Sequence, residues 1–199
     1  MPVSHASIDL AGEGVHLLPE RCLYWEREET LIVADVHWGK AAAFRAGGFA
    51  LLGGTTSDDL ARLDRVLTRT GAHRLVILGD LFHAKAGRVA APTLAAIRRW
   101  RAGRAELEMV LVRGNHDRHA GDPPPELGIQ VINPPARFSP FVFRHQPAQD
   151  RQGYTLAGHL HPAVLLRGPG RQHERLACFL VGPAVTVIPA LQLPRHLRR

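Results

Sequence analysis

A chain of 199 residues can bury one substantial core, and its length predicts one domain spanning residues 1–199. No segment approaches the ~20 uninterrupted apolar residues of a membrane helix, and the first residues lack the basic-then-apolar pattern of a leader, so the expected location is the cytoplasm with no membrane partner. The formal charge of +7 suits an anionic partner, although only Lys40 and Lys85 of the 25 basic residues are lysines, a bias that a GC-rich coding sequence also produces.

In chain order, apolar runs rich in branched residues predict strands over Thr30–Ala34, Arg74–Leu78, Glu108–Val112, Ile129–Ile132 and Phe138–Phe143. Further strands are predicted over Tyr154–Ala157, Val164–Arg167, Leu176–Val181 and Val185–Ile188. Between the first two strands, Thr56 or Ser57 is placed to cap a helix with Asp58 and Asp59 in its first turn. Its apolar stripe is Leu60, Leu63, Val66 and Leu67. A second helix runs from Pro92, suited to a first helical turn, through Ala95, Ile97 and Trp100. Pro123–Pro125 predicts a rigid surface turn, and the basic tail 194–199 a frayed terminus. Strands and helices alternate in the first half while strands dominate the second, which predicts a layered α/β domain with a mixed sheet or sandwich.

The polar residues stand at strand exits. Asp35-Val36-His37 follows the first predicted strand, Gly79-Asp80 the second and Gly114-Asn115-His116-Asp117 the third. His145 follows Phe143, and Gly158-His159-Leu160-His161 follows Ala157. Singly, these residues are compatible with caps, turns or a satisfied core histidine. Five clusters in succession predict one crevice at the carboxyl ends of the strands. Oxygen and imidazole donors without thiolates suit Mn²⁺, Fe or Zn²⁺ at a catalytic rather than a structural site. Cys22 and Cys178 fit no metal spacing and read as reduced structural thiols.

D-x-H, G-D-x-x-H, G-N-H-D, a lone His and G-H-x-H, in this order from Leu31 to Pro162, resemble the calcineurin-like metallophosphoesterases. The resemblance implies a four-layered αββα sandwich binding two divalent metal ions, Mn²⁺ first among them. It makes Asp35, His37 and His161 ligands of one ion, Asn115, His145 and His159 ligands of the other, and Asp80 the bridge. His116 then corresponds to the histidine beside the scissile phosphate, with Asp117 orienting it. The second motif ends in His83 where the family often has Asp, which leaves the role of His83 open.

More narrowly, Asp35-Val36-His37-Trp38-Gly39-Lys40 followed by Ala41-Ala42-Ala43-Phe44-Arg45 is similar to the ligase-associated DNA damage response endonucleases. That resemblance implies a phosphodiesterase or DNA endonuclease in DNA repair, acting beside an ATP-dependent DNA ligase. Lys40, Arg45 and Arg113 are candidate substrate contacts, within a wider set of cations in the same loops that includes Lys85, Arg88, Arg118 and Arg144. Two alternatives stand beside it. One is a small-molecule nucleotide or pyrophosphate phosphodiesterase, such as the lipid A pathway hydrolase that shares this motif set, for whose helical lipid-binding insertion Gly87–Pro92 and Gly121–Pro125 leave little room. The other is a non-catalytic metal-bearing scaffold, against which His116 argues. Trp38, Phe44 and Phe82 are read as packing residues ahead of base-stacking ones.

Overall fold

A computed structural model describes residues 5–49, 55–170 and 172–192, so the basic tail 194–199 lies outside the described residues. Strands β1 (Ala6–Leu10), β2 (Glu13–Leu18) and β3 (Cys22–Trp25) form an antiparallel meander that leads into β4 (Thr30–Ala34). Parallel crossings then add β5 (Arg74–Leu78), β6 (Glu108–Val112) and β7 (Ile129–Ile132), completing a seven-stranded sheet in chain order. The connections carry helices α1 (Lys40–Ala46), α2 (Thr55–Thr70), α3 (Lys85–Arg88), α4 (Ala91–Ala102) and α5 (Asn115–Ala120). Parallel strands laid down successively in one direction, with crossovers of one hand, place their helices on one face of the sheet.

The chain then forms β8 (Ala136–Phe138), β9 (Phe141–Phe143) and β10 (Tyr154–Ala157). Strands β11 (Ala163–Arg167) and β12 (His173–Ala177) make a separate antiparallel hairpin. After it, β13 (Leu180–Val181) and β14 (Val185–Val187) join β8 to β10 in a five-stranded second sheet. Backbone bonds from Ile188 N–H to Ala157 C=O (2.7 Å) and from Leu191 N–H to Ala34 C=O (2.8 Å) tie the carboxyl ends of β10 and β4 to one C-terminal segment.

Alternation along the strands divides the interior into two layers. Leu31, Val33, Leu75 and Ile77 pack with Leu63, Val66, Leu67 and Ile97 of the helices. Ile32, Ala34, Val76 and Leu78 face the other way, against Phe141, Phe143 and Leu156 of the second sheet. Both faces are covered, which is why these strands read as unbroken apolar runs. Leu63 is fully buried at the centre of the helix layer. Leu63→Ala is therefore expected to lower unfolding free energy by about 2–5 kcal/mol in denaturant titration; a change within experimental error would remove this layer from the core.

The layered α/β architecture read from the sequence is present, with differences in detail. The predicted strand 138–143 divides at Ser139-Pro140, where Pro140 has no N–H to continue a ladder, and its halves pair as β8 and β9. The predicted strand 176–181 also divides, because Cys178 N–H turns to Pro162 C=O (3.1 Å) at the base of the hairpin. Thr56 does not cap α2; the helix begins at Thr55, and the Thr56 hydroxyl accepts the Gly39 N–H at 3.0 Å. Among the described residues, no helix is long and apolar enough to cross a membrane.

Candidate metal centre

Strands β4, β5 and β6 run parallel, as do β9 and β10, so the loops at their carboxyl ends can meet. Backbone bonds knit those loops together: Asp35 N–H to Gly79 C=O (3.3 Å), His37 N–H to Asp80 C=O (2.9 Å) and Gly158 N–H to His145 C=O (3.0 Å). Asp35, His37, Asp80, His159 and His161 all have positive φ, between 46° and 71°, a conformation that costs a residue with a side chain on the order of 1 kcal/mol or more. Concentrated at five predicted site residues, this strain is held by the surrounding structure.

Glycines allow the close approach. A Cβ on Gly79, already at φ 80°, would enter the imidazole of His145; one on Gly114 would strike Asp80; one on Gly158 would lie 2.7 Å from a carboxylate oxygen of Asp35. Gly79→Ala is therefore expected to displace His145 and weaken Mn²⁺ binding about 10- to 100-fold, the usual scale for disturbing the support of a ligand. Calorimetric Mn²⁺ titration checks this, and unchanged affinity would show that the His145 position is not used.

The donors converge in two groups, Asp35 with His37 and His161, and Asp35 with Asp80 and His145, each with its ligating atoms within 4.8 Å of one another. In each carboxylate a backbone N–H holds one oxygen. His159 N–H donates to Asp35 Oδ2 (2.8 Å) and His116 N–H to Asp80 Oδ1 (2.9 Å). The remaining oxygens face histidines: Asp35 Oδ1 lies 3.2 Å from His161 Nε2, and Asp80 Oδ2 lies 3.3 Å from His145 Nε2. His145 Nδ1 lies 2.9 Å from the Leu78 carbonyl and so donates to it. Its Nε2 is left facing Asn115 Oδ1 (2.8 Å), Asp80 Oδ2 and His159 Nδ1 (3.1 Å).

Such a set of electron-pair donors suits a cation at its centre. Asp35 Oδ1 and His37 Nδ1 are buried with no hydrogen-bond partner, which is costly unless something else satisfies them. Burial pushes the His37 imidazole down to about 4, so it is neutral at pH 7, as a metal ligand must be. Burial also opposes charge on His145 and on Asp80, but their mutual hydrogen bond prevails, raising the histidine pKa and lowering that of the carboxyl. The residues therefore fit divalent cations, with a backbone carbonyl behind His145 fixing which nitrogen is free to bind one.

A profile described as calcineurin-like phosphoesterase matches residues 29–175. The chain belongs to the calcineurin-like phosphoesterases. It is thus a metal-dependent hydrolase of phosphate esters, which removes the scaffold alternative. The crystal structure of Pseudomonas putida nuclease MPE is 42% identical, with a TM-score of 0.84 over 96% of this chain and 88% of that one. Yfce, a phosphoesterase from E. coli, is 18% identical with a TM-score of 0.43, covering 85% of this chain and 83% of that one. No curated protein matches the chain.

In this phosphoesterase, Asp35, His37, Asp80, Asn115, His145, His159 and His161 come together at the ends of the two sheets. His116 stands beside them, Nε2 3.9 Å from Asp80 Oδ2 and its side chain 40% exposed. Asp117 does not orient that ring. Its buried carboxylate accepts three backbone N–H groups, from Gly114 (2.7 Å), Asp80 (2.8 Å) and Leu81 (2.9 Å), bracing the two loops. The His116 ring is oriented by the backbone of His83, whose carbonyl accepts from Nδ1 at 2.9 Å. The His83 ring itself stacks on Phe44 and His116, with centroids 5.6 and 5.5 Å apart. Sequence carries no signal for a role played by a main-chain oxygen.

The predicted substrate contacts separate. Lys40 lines a cavity with His37 and His161. Arg45 lines a different cleft, with Thr56, Pro92 and Thr93, and is not brought to the donor cluster. Arg113 lines a cavity beside Asn115 and His145, but its guanidinium is engaged by both oxygens of Asp122 (2.6 and 2.7 Å) and by Asn133 (2.7 Å). Arg88 and Arg144 likewise bind Ala120 C=O (2.6 Å) and Asp150 (2.7 Å). Trp38 and Phe82 are wholly buried, as packing residues are.

Proposed function

We propose that the protein is a dinuclear, Mn²⁺-dependent phosphodiesterase that cleaves DNA. The donor cluster, with Asp35 Oδ1 and His37 Nδ1 buried without a hydrogen bond, carries the metal reading, and the 42% identity to a nuclease supports the nucleic-acid one. Asp35, His37 and His161 would hold one ion and Asn115, His145 and His159 the other, with Asp80 shared between the two. Asp35 also lies in both donor groups, so the bridge is a point that variants of the two carboxylates can test. When bound, the ions supply Lewis acidity at the phosphate and lower the pKa of the attacking water.

His116 supplies what the ions do not. Because its Nδ1 donates to the His83 carbonyl, protonation and release occur at Nε2, the nitrogen turned toward the cluster. As an imidazolium it stabilises charge growing on the non-bridging oxygens, and Nε2–H can pass its proton to the leaving alkoxide. Lys40, half buried and lining the same cavity as His37 and His161, is the substrate contact among the three predicted cations. The Asp35–Arg45 loop, with its likeness to ligase-associated endonucleases, supports a place in DNA repair beside an ATP-dependent ligase.

The test is Mn²⁺-dependent cleavage of circular single- and double-stranded DNA, with salt titration of DNA binding by the metal-depleted protein. Affinity is expected to fall with salt by a slope of about 0.7 to 0.9 per phosphate contact. Lys40→Ala should flatten that slope while Arg45→Ala does not. No DNA binding at low salt, together with rapid turnover of a nucleotide or pyrophosphate, would leave the small-molecule phosphodiesterase as the function.

A further inference from the structure

Hairpin β11–β12 lies outside both large sheets, starting two residues after His161. Its register pairs Ala163 with Ala177 and Leu165 with Arg175, alternating with Val164–Leu176 and Leu166–Glu174. Since strand side chains alternate between faces, Ala163, Arg175 and Ala177 share one face, and these three line the cavity that also holds His37, His161 and Lys40. Val164, Leu166, Leu176 and Glu174 occupy the other face. The bond from Cys178 N–H to Pro162 C=O (3.1 Å) closes the base of the hairpin and so fixes its cationic face beside the donor cluster.

Arg21, Lys40 and Arg175 line this cavity, and no carboxylate does among the described residues. Arg21 donates to the Ala190 and Gln192 carbonyls (3.3 and 3.0 Å), anchoring the wall. Neither the Lys40 ammonium nor the Arg175 guanidinium has a hydrogen bond or ion pair with another described residue, in contrast to the guanidinium groups of Arg88, Arg113 and Arg144. Two cations without acceptors, facing a cavity contiguous with His37 and His161, present an anion site one step from the metal centre. On the side of Asn115 and His145, the neighbouring cavity holds Arg118.

We infer that the cavity between α1 and hairpin β11–β12 seats the phosphate flanking the scissile one on a DNA strand, with Arg175 and Lys40 as its ligands. This rests on the phosphodiesterase reading and adds a requirement to it. The preferred substrate carries a second phosphate on the same strand, so an oligodeoxynucleotide is selected over a diester with one phosphate. Arg175 is a specificity residue: it binds a group that does not react, and a guanidinium fork matches two phosphate oxygens.

The experiment compares kcat/KM for a short oligodeoxynucleotide and for bis(p-nitrophenyl) phosphate in the Mn²⁺-loaded wild type, Arg175→Gln and Lys40→Gln. The same oligonucleotide is also made with a neutral methylphosphonate at each position flanking the cleaved bond. The oligonucleotide-to-small-diester ratio should fall about tenfold or more in Arg175→Gln, the scale of one charge-assisted hydrogen bond. One flanking methylphosphonate should depress the wild type by a similar factor while leaving Arg175→Gln little further affected. As a check independent of turnover, Arg175→Gln should reduce the salt slope of DNA binding by the metal-depleted protein by about 0.7 to 0.9. If wild type and Arg175→Gln lose equally to every flanking methylphosphonate, and the ratio and slope do not change, the inference is overturned while the phosphodiesterase reading stands. Turnover of monoesters alone by the wild type would instead overturn that reading, and the inference with it.

Discussion

Asp80→Asn is expected to reduce diester hydrolysis by at least about 10²- to 10³-fold, the scale of losing a group that organises transition-state charge, and to retain fewer ions than Asp35→Asn. The hydrogen bond from His116 N–H to Asp80 Oδ1 (2.9 Å) dictates the outcome. An asparagine there must keep its carbonyl oxygen toward that donor, which turns its NH₂ into the position facing His145 Nε2. An amide nitrogen has no lone pair to offer a cation. The same logic holds at Asp35, where the His159 N–H (2.8 Å) claims one oxygen, but loss there is assigned to one ion and loss at Asp80 to both. Metal content per chain after desalting separates the two variants. Two ions and near-normal turnover in Asp80→Asn would mean that Asp35, which also lies in both donor groups, is the bridge.

His116→Ala is expected to keep both ions and lose about 10²- to 10⁴-fold in rate, the range for general acid catalysis. Its backbone N–H, which braces Asp80, survives the substitution, so the carboxylate keeps its place. Only the ring is lost, with the Nε2 proton that the His83 carbonyl aims toward the cluster by engaging Nδ1 (2.9 Å). The loss should grow as the leaving alkoxide becomes more basic, because such groups need a proton most. Equal losses across a leaving-group series would leave His116 an electrostatic role alone, and loss of an ion would make it a ligand.

What was legible in the sequence follows from burial. The strands β4, β5, β6 and β10 match their predicted bounds because covered faces demand continuous apolar runs bounded by polar residues, while β7 matches its bounds although it is only partly buried. The meander β1–β3 was not read, since β1 is largely exposed and β2 alternates buried with exposed residues. Its signal was Ala11-Gly12, both at positive φ (56° and 83°), as a two-residue hairpin turn requires. Helices α1, α3 and α5, of seven, four and six residues, are too short for periodicity to announce.

At the site, side chains of the right chemical type at strand exits were readable, and the structure gathers all seven. Unreadable were the contacts that depend on main-chain atoms or distant elements. Asp117 braces loops instead of orienting His116, a His83 carbonyl orients the His116 ring, and Arg113 is claimed by Asp122. Arg175 approaches the cluster only because a hairpin register turns it there. None of these follows from residue type and local spacing.

The most direct test of a two-metal phosphodiesterase is metal content per chain set against hydrolysis of bis(p-nitrophenyl) phosphate as Mn²⁺ is added back to the chelator-treated protein. Activity should be absent in the chelated protein, return with Mn²⁺, and reach its plateau at two ions per chain. Full activity in the chelated protein, or a plateau at one ion, would contradict it.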